Sequence, residues 1–155
     1  MPGFLPDTSC MVAAVCGWHE HHEAAHKEIE RRLGLGEPMI MAAPALVETY
    51  AVLTRLPPPH RLSAADAYAL LSTNFMSSVR IIALDPKSYR NLLRRLSESH
   101  MGGGKTYDAV IAECARKAQA NALLTFNESD FHAVVEQGLE IVTPGKRSGQ
   151  ERQSR

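Results

Sequence analysis

The sequence predicts an α/β fold in which a central, mostly parallel sheet of four to five strands lies between two layers of helices. The chain has 155 residues, which suits one domain with a single core. Its hydrophobic content of 45% and charged content of 22% are typical of a globular protein. Short apolar stretches of strand length alternate with helical ones, and this alternation predicts a parallel sheet with helices on both faces.

The first half of the chain begins the alternation. The stretches are, in order, a strand at 4–6, a helix start or buried turn at 10–17, a helix at 18–33, a strand at 39–42 and a helix at 45–56. Ala25, Ile29 and Leu33 recur every four residues, so we expect them on one face of the helix at 18–33. Gly34 ends that helix, and the three prolines at 57–59 interrupt the chain after the next one.

The second half continues the same pattern. The stretches are a helix at 64–75, a strand at 79–84, helices at 87–97 and 107–119, a strand at 122–125, a short helix at 131–136 and a strand at 139–142. Ser63 and Thr106 are suited to cap two of these helices, and Pro86 suits the first turn of a third. Residues 145–155 are polar and basic, so we predict a flexible tail after a domain spanning 1–144.

Charge and cysteine content say more about where the protein is found in the cell than about its function. Lys and Arg total 17, as do Asp and Glu, so the net charge predicts no particular partner. The three cysteines, Cys10, Cys16 and Cys114, form no CxxC pair, which favours reduced thiols in a cytoplasmic protein. No apolar run approaches the roughly 20 residues of a membrane helix, so we expect no membrane partner.

Three acidic residues lie in or beside apolar stretches: Asp7, Glu48 and Asp108. A carboxylate near a core costs free energy unless it is paired or bound to a metal. Asp7 ends the first predicted strand, and the other two lie in predicted first turns of helices. Because ligands of parallel sheets bind outside the carboxyl ends of the strands, we expect one shared site. Each acid alone is also compatible with a helix-capping or dipole-compensating role.

A shared carboxylate site has a definite chemistry. Carboxylates held close together raise one another's pKa, and a divalent cation reverses that penalty. Mg²⁺ and Mn²⁺ prefer oxygen ligands, whereas zinc hydrolases use His or Cys. A hydrated cation activates water and stabilises charge on a phosphate. Acids without a dedicated His or Cys ligand therefore indicate phosphodiester chemistry.

Four short motifs occur in a distinctive order: residues 7–9 (DTS), 43–49 (APALVET), 106–109 (TYDA) and 124–131 (LTFNESDF). In this order they resemble the PIN-domain family, most closely the VapC-type toxin ribonucleases of type II toxin–antitoxin systems. The resemblance extends from about residue 4 to Pro144. It implies a three-layer α/β/α sandwich, Mg²⁺- or Mn²⁺-dependent cleavage of RNA, a small VapB-like antitoxin partner and a homodimer.

The resemblance also implies roles for individual residues. It assigns four acids to catalysis: Asp7, Glu48, Asp108 and Asp130. Asp7 and Asp108 are expected to hold the metal, while Glu48 and Asp130 orient water or a second ion. Many relatives carry Asp where this chain has Asn127, so Asn127 and Thr125 are expected as polar groups that orient the site.

Two other functions stay open at this point. One is a PIN nuclease of RNA processing that is not a toxin. The other is a non-catalytic PIN-like binding module, in which Asn127 would mark a decayed site.

Two further clusters, one of histidines and one of basic residues, lie outside these motifs. His19, His22 and His26 recur at helical spacing, with His21 among them, which indicates a solvated helix face, with zinc or nickel binding as the alternative. A basic helix face comprises Lys87, Arg90, Arg94 and Arg95. That face is suited to RNA phosphates, although an ordinary solvated surface explains it equally well.

Overall fold

The computed structural model describes residues 2–77, 79–135 and 138–146. The strands are β1 (Phe4–Pro6), β2 (Ile40–Ala42), β3 (Arg80–Ile82), β4 (Ala122–Leu124) and β5 (Glu140–Val142). The helices are α1 (Thr8–Val15), α2 (His22–Gly34), α3 (Ala43–Thr54), α4 (Ala64–Leu71), α5 (Pro86–Glu98), α6 (Lys105–Lys117) and α7 (Glu128–His132). A π-helical segment, Ser72–Met76, continues from α4. From residue 147 onward, the predicted tail lies outside the described residues.

Within the described part of the chain, all the strand pairs are parallel. β1 pairs with β4, β4 with β5, and β2 with β3. A bridge between Phe4 and Met39 joins β1 to the β2 side, which gives the order β3-β2-β1-β4-β5. The predicted sheet of four to five mostly parallel strands is therefore confirmed.

The strand order explains the two helical layers. The chain starts in the middle of the sheet, moves outward to β3, then returns to β4 and continues to β5. Because crossovers between parallel strands are right-handed, these two directions place the connecting helices on opposite faces. The central strands β1, β2 and β4 are buried along their whole length. The strand order switches direction between β1 and β4, where open α/β sheets bind ligands.

Helix α2 departs from the prediction in its start and in its buried face. It begins at His22 rather than Trp18, because residues 17–21 form turns. Ala25 and Ile29 are buried as expected, but Leu33 is 45% exposed. Arg32 is buried in its place, with Nε 2.8 Å from Glu28 Oε1 and a terminal nitrogen 2.9 Å from Glu37 Oε2. Two carboxylates thus compensate a guanidinium in the core.

Three other predicted positions within helices are wrong. α3 begins at Ala43, so Glu48 lies in its second turn rather than its first. α6 begins at Lys105 after Gly104, so Thr106 lies inside the helix and does not cap it. α7 begins at Glu128, so Asp130 lies within this helix rather than in a turn before it.

Two helices, α4 and α5, begin within one residue of the prediction, and a side chain caps each of them. Ser63 Oγ accepts a hydrogen bond from the Asp66 backbone N–H at 3.1 Å. Asp85 Oδ1 accepts one from the Ser88 backbone N–H at 2.7 Å. These contacts satisfy backbone donors that have no partner within the helix.

The structure also describes the three cysteines and the length of each helix. The thiols of Cys10, Cys16 and Cys114 are free and buried. In the described ranges, each helix falls short of the length and apolarity needed to cross a membrane.

Candidate active site

Asp7 is the most constrained acid of the site. It lies between β1 and α1, and its backbone N–H donates to the Leu124 carbonyl oxygen at 2.9 Å. Its Oδ1 accepts hydrogen bonds from the Cys10 N–H at 2.8 Å and the Ser9 hydroxyl at 2.7 Å. Its Oδ2 accepts one from the Thr125 hydroxyl at 2.6 Å. These contacts hold the carboxylate in one orientation at the end of β1.

Burial has a strong effect on this carboxyl group. The Asp7 side chain is nearly inaccessible, with 3% relative exposure. Burial raises the pKa of Asp7 from 3.8 to about 6, although its three hydrogen bonds oppose the rise. The negative charge of Asp108 raises it further. A bound cation would offset both penalties.

The hydrogen bonds of Asp7 leave room for such a cation. Each carboxylate oxygen has two lone pairs. Oδ1 uses both for Ser9 and Cys10, whereas Oδ2 accepts one hydrogen bond from the described residues. The second lone pair of Oδ2 is the one suited to a ligand.

Two hydroxyl groups join Asp7 to the segment that follows β4. The buried Thr125 hydroxyl donates to Asp7 and accepts the Asn127 backbone N–H at 2.9 Å. The Ser9 hydroxyl likewise donates to Asp7 and accepts the Phe126 backbone N–H at 3.1 Å. Asn127 thus contributes its backbone to this network, while its residue is exposed and lines the cleft.

Glu48 and Asp108 face the same space as Asp7. The three acids line one cleft with a volume of about 440 Å³. Glu48 is exposed, and its Oε2 accepts a hydrogen bond from the Thr8 hydroxyl at 3.0 Å. Asp108 is half-buried in the first turn of α6. Burial raises the pKa of Asp108, and the charges of Asp130 and Glu48 add to that rise.

Asp130 lies beside this cleft rather than in its lining. It is exposed in α7 and lines an adjoining hollow that shares Phe126 and Asn127 with the cleft. Its backbone N–H donates to the Asn127 carbonyl oxygen at 3.1 Å. Its charge nevertheless contributes to the raised pKa of Asp108. The structure therefore brings three predicted acids into one cleft and the fourth to its rim.

A divalent cation at this site would have few protein ligands. Within the described ranges, no three His, Cys, Asp or Glu side chains form a group able to hold a metal ion by themselves. Mg²⁺ usually keeps several waters and binds proteins through one or two carboxylates. Asp7 and Asp108 thus fit a hydrated Mg²⁺ or Mn²⁺ better than an ion enclosed by protein ligands.

Several residues of the cleft were not identified from the sequence. They are Thr8, Ser9, His19, Glu20, His21 and Phe126. Thr8 and Ser9 follow Asp7 directly in the DTS motif, which was the available signal for them. His19 and His21 were interpreted as part of a helix face, but they lie in the turn region before α2.

We expect Thr125→Val to destabilise the fold by about 1–3 kcal/mol. Valine has nearly the same shape as threonine, but it removes the donor to Asp7 and the acceptor for the Asn127 N–H. Loss of the donor should also raise the pKa of Asp7 further. Denaturant unfolding near neutral pH measures the effect, with Thr125→Ser as the control that keeps the hydroxyl. Equal stability of the Val variant and the wild-type protein would show that this network contributes little.

Comparisons with known proteins give consistent results. The family model described as "PIN domain" matches residues 4–137. Ribonuclease VapC40 of Mycobacterium tuberculosis is 45% identical over 118 residues, which cover 76% of this chain and 82% of the relative. Ribonuclease VapC27 of the same species is 33% identical over 130 residues, covering 79% and 82%.

Solved structures show the same fold at lower identity. The chain resembles VapC20 of Mycobacterium tuberculosis, described as a Sarcin-Ricin loop cleaving toxin, with TM-score 0.65, 18% identity, and 87% and 98% of the two chains covered. It also resembles VapBC2 from Rickettsia felis bound to a promoter DNA fragment, with TM-score 0.64, 19% identity, and coverage of 91% and 98%. FitAB bound to a DNA fragment has TM-score 0.68, 13% identity, and coverage of 94% and 97%. At these identities the structural likeness shows the fold alone.

Proposed function

The chain belongs to the PIN-domain family, and from this membership we propose that it is a metal-dependent endoribonuclease acting as the toxin of a toxin–antitoxin pair. The main support is the cleft in which the buried Asp7 carboxylate meets Glu48 and Asp108. The 45% identity to a relative named as a VapC ribonuclease supports RNA as the substrate class. Asp130 at the rim of the cleft completes the proposed set of acids.

The metal would be held by Asp7 and Asp108, directly or through water. A bound Mg²⁺ or Mn²⁺ supplies an activated water and neutralises charge on the phosphate. Ser9, Thr125 and the Cys10 N–H keep the Asp7 carboxylate aimed into the cleft. This fixed orientation reduces the reorganisation needed when substrate binds.

Glu48 is the residue proposed to orient the attacking water. Its Oε2 is held by Thr8, so Oε1 is the proposed acceptor for a proton of that water. The water oxygen forms a new bond to phosphorus while the bond from phosphorus to a ribose oxygen breaks. The water proton passes to Glu48 Oε1, and the departing ribose oxygen takes a proton from solvent. Asp130 would orient the water or a second ion from the rim.

Cleavage of a labelled RNA pool by the purified protein tests the nuclease proposal. Cleavage should require Mg²⁺ or Mn²⁺, stop on addition of EDTA and return when the cation is restored. A protein that binds RNA without cleaving it under these conditions would instead be a binding module.

The toxin role needs a separate test in cells. Induced expression should arrest growth, and co-expression of the antitoxin, which we expect to be a small protein encoded beside this gene, should relieve the arrest. Cleavage in vitro without growth arrest would favour a nuclease of RNA processing.

An antitoxin and a second copy of the chain are the proposed protein partners, and the cytoplasm is the proposed location. An apolar groove of about 790 Å³ lies beside the cleft and shares Glu48 with it. Val47 and Tyr107, which are 71% and 69% exposed, contribute apolar surface to this groove. The groove is suited to an apolar segment of the antitoxin. Light scattering of the purified protein measures the proposed homodimer.

The pKa of Asp7 predicts how cation binding depends on pH. Without a cation, the folded-state pKa of about 6 exceeds the ordinary 3.8. The folded protein therefore binds more protons than the unfolded chain between these values, and its stability falls as the pH rises through them. A cation needs ionised Asp7, so its stabilising effect should grow over the same window.

We therefore expect Mg²⁺ to raise the melting temperature more at about pH 7.5 than at about pH 5. Thermal unfolding with and without Mg²⁺ measures this difference. Asp7→Asn is the control, because its side chain does not titrate. An equal Mg²⁺ effect at both pH values would exclude Asp7 as the group that links proton and cation binding.

A further inference from the structure

Five rings form a continuous array at the surface of the protein. In spatial order they are His60, Trp18, His19, His21 and Phe126. The centroids of neighbouring rings are 4.1, 5.7, 5.7 and 4.4 Å apart. The end pairs are stacked, with interplanar angles of 22° for Trp18 on His60 and 10° for His21 on Phe126. We call these five rings the ring array.

The inner end of the ring array belongs to the acidic cleft. His19, His21 and Phe126 line the cleft together with the three acids. The Phe126 backbone N–H donates to the Ser9 hydroxyl, which donates to Asp7. The stacked rings therefore begin two hydrogen bonds away from the proposed metal ligand.

Local contacts hold the inner rings in defined positions. The His21 backbone N–H donates to His19 Nδ1 at 3.0 Å. Nδ1 is thus an acceptor, so the neutral ring carries its proton on Nε2. Burial lowers the pKa of His19, and the nearby His21 lowers it further, which favours this neutral form. His21 in turn lies nearly flat on Phe126.

The outer end of the ring array is accessible. Trp18 stacks on His60 and is still 49% exposed. Arg61, which follows His60, has its Nε anchored to the Leu56 carbonyl oxygen at 2.8 Å. The array therefore leads from the acidic cleft to the exposed ring of Trp18, which stacks on the residue that precedes Arg61.

The chemistry of the array favours a nucleobase over a phosphate as its ligand. Unpaired bases of RNA stack on aromatic and histidine rings, whereas bases inside a duplex already stack on one another. Glu20 lies 3.4 Å from His21 Nε2 and also lines the cleft. Its carboxylate repels a phosphate but accepts the N–H groups of bases.

We propose that the ring array is a nucleobase-binding subsite in which an unpaired base near the scissile phosphate stacks on Trp18. This proposal rests on the proposed ribonuclease function, because RNA is its ligand. The array then selects RNA with unpaired bases next to the cleavage position. Trp18 is a specificity residue in this proposal, since it touches substrate away from the reacting phosphate.

Fluorescence tests the proposal without requiring catalysis. Trp18 is the single tryptophan of the chain, so its emission reports on this position alone. The full-length Asp7→Asn protein is titrated with a short single-stranded RNA and with the same sequence as a duplex. We expect the single strand to quench Trp18 emission and the duplex to leave it largely unchanged. Unchanged emission with the single strand would overturn the proposal.

Variants give a second measurement. In the Asp7→Asn background, Trp18→Ala should weaken binding of labelled single-stranded RNA by about tenfold, whereas Trp18→Phe should keep most of the affinity. Tyr68→Ala, which removes an aromatic ring that is 60% exposed on α4, is the matched control and should bind normally. With the catalytic acids intact, Trp18→Ala should raise KM far more than it lowers kcat.

Each result that would contradict the proposal leads to a different conclusion. If Trp18→Ala bound RNA with unchanged affinity, the subsite would be overturned. If the antitoxin protein quenched Trp18 emission and RNA did not, the array would be a protein interface, and the proposal would also be overturned. A lower melting temperature with an equal loss of kcat would assign Trp18 a structural role and also overturn it. Failure of the wild-type protein to cleave any RNA would refute the proposed function, whereas the fluorescence titration would still report on base binding.

Discussion

Asp7→Asn is expected to lower the rate of RNA cleavage by about 100-fold or more while the protein stays folded. Asparagine keeps an oxygen that can accept the Cys10 N–H, so the cap of α1 is retained. It removes the negative charge that the proposed cation requires. It loses the acceptor for the Thr125 hydroxyl, but above about pH 6 it also removes a charge that burial penalises, so the two effects on stability oppose each other. Cleavage of labelled RNA and thermal unfolding measure the two effects.

Two other variants make the Asp7 experiment decisive. Asp7→Ala removes the cap as well as the charge, so it should lose about 1 kcal/mol of stability that Asp7→Asn keeps. Asp66→Asn makes the same chemical change at an exposed position on α4 and should cleave RNA normally. Cleavage by Asp7→Asn at the wild-type rate, with the same need for Mg²⁺, would refute the assignment of Asp7.

Asp108→Asn is expected to reduce cleavage by a similar factor, about 100-fold, for a different reason. Asp108 is only half-buried, and the negative charges of Asp130 and Glu48 raise its pKa. Loss of its charge removes one proposed ligand of the cation. It also removes a charge that raises the pKa of Asp7, so that pKa should fall.

This coupling between the two acids can be measured directly. NMR titration of the Asp7 carboxyl group in the absence of cations should give a lower pKa in Asp108→Asn than in the wild-type protein. Asp66→Asn again serves as the control and should leave the pKa of Asp7 unchanged. An unchanged pKa in Asp108→Asn would show that the two carboxylates are too far apart to share one cation.

The helix starts show which local signals in the sequence suffice to predict where a helix begins. α4 begins where predicted and α5 one residue earlier, and each has a side-chain cap, from Ser63 and Asp85. α1 is the exception, because Asp7 caps it but it begins at Thr8, two residues before the predicted position. α2, α3, α6 and α7 begin elsewhere than predicted, and among the described residues none of these four has a side-chain cap hydrogen bond. A cap acts within three residues of its helix and is visible in the sequence, whereas an uncapped start depends on packing around it.

The histidines show that a contact between distant residues cannot be predicted from a local pattern. Spacing alone placed His19 and His21 on a solvated helix face. In the structure they precede α2 and line the acidic cleft, and His21 stacks on Phe126, which follows β4. A contact between residues about a hundred positions apart leaves no periodic pattern in either segment.

The sequence by itself determined the alternation of strands and helices and the acids near their ends, because these depend on neighbouring residues. The tertiary structure decided what each acid contacts. The Thr125 hydroxyl reaches Asp7 across 118 positions of sequence, because β1 and β4 pair side by side and end at the same edge of the sheet. Strand pairing is a long-range choice made by the packing of the whole core, and it places Asp130 at the rim and the ring array beside the cleft.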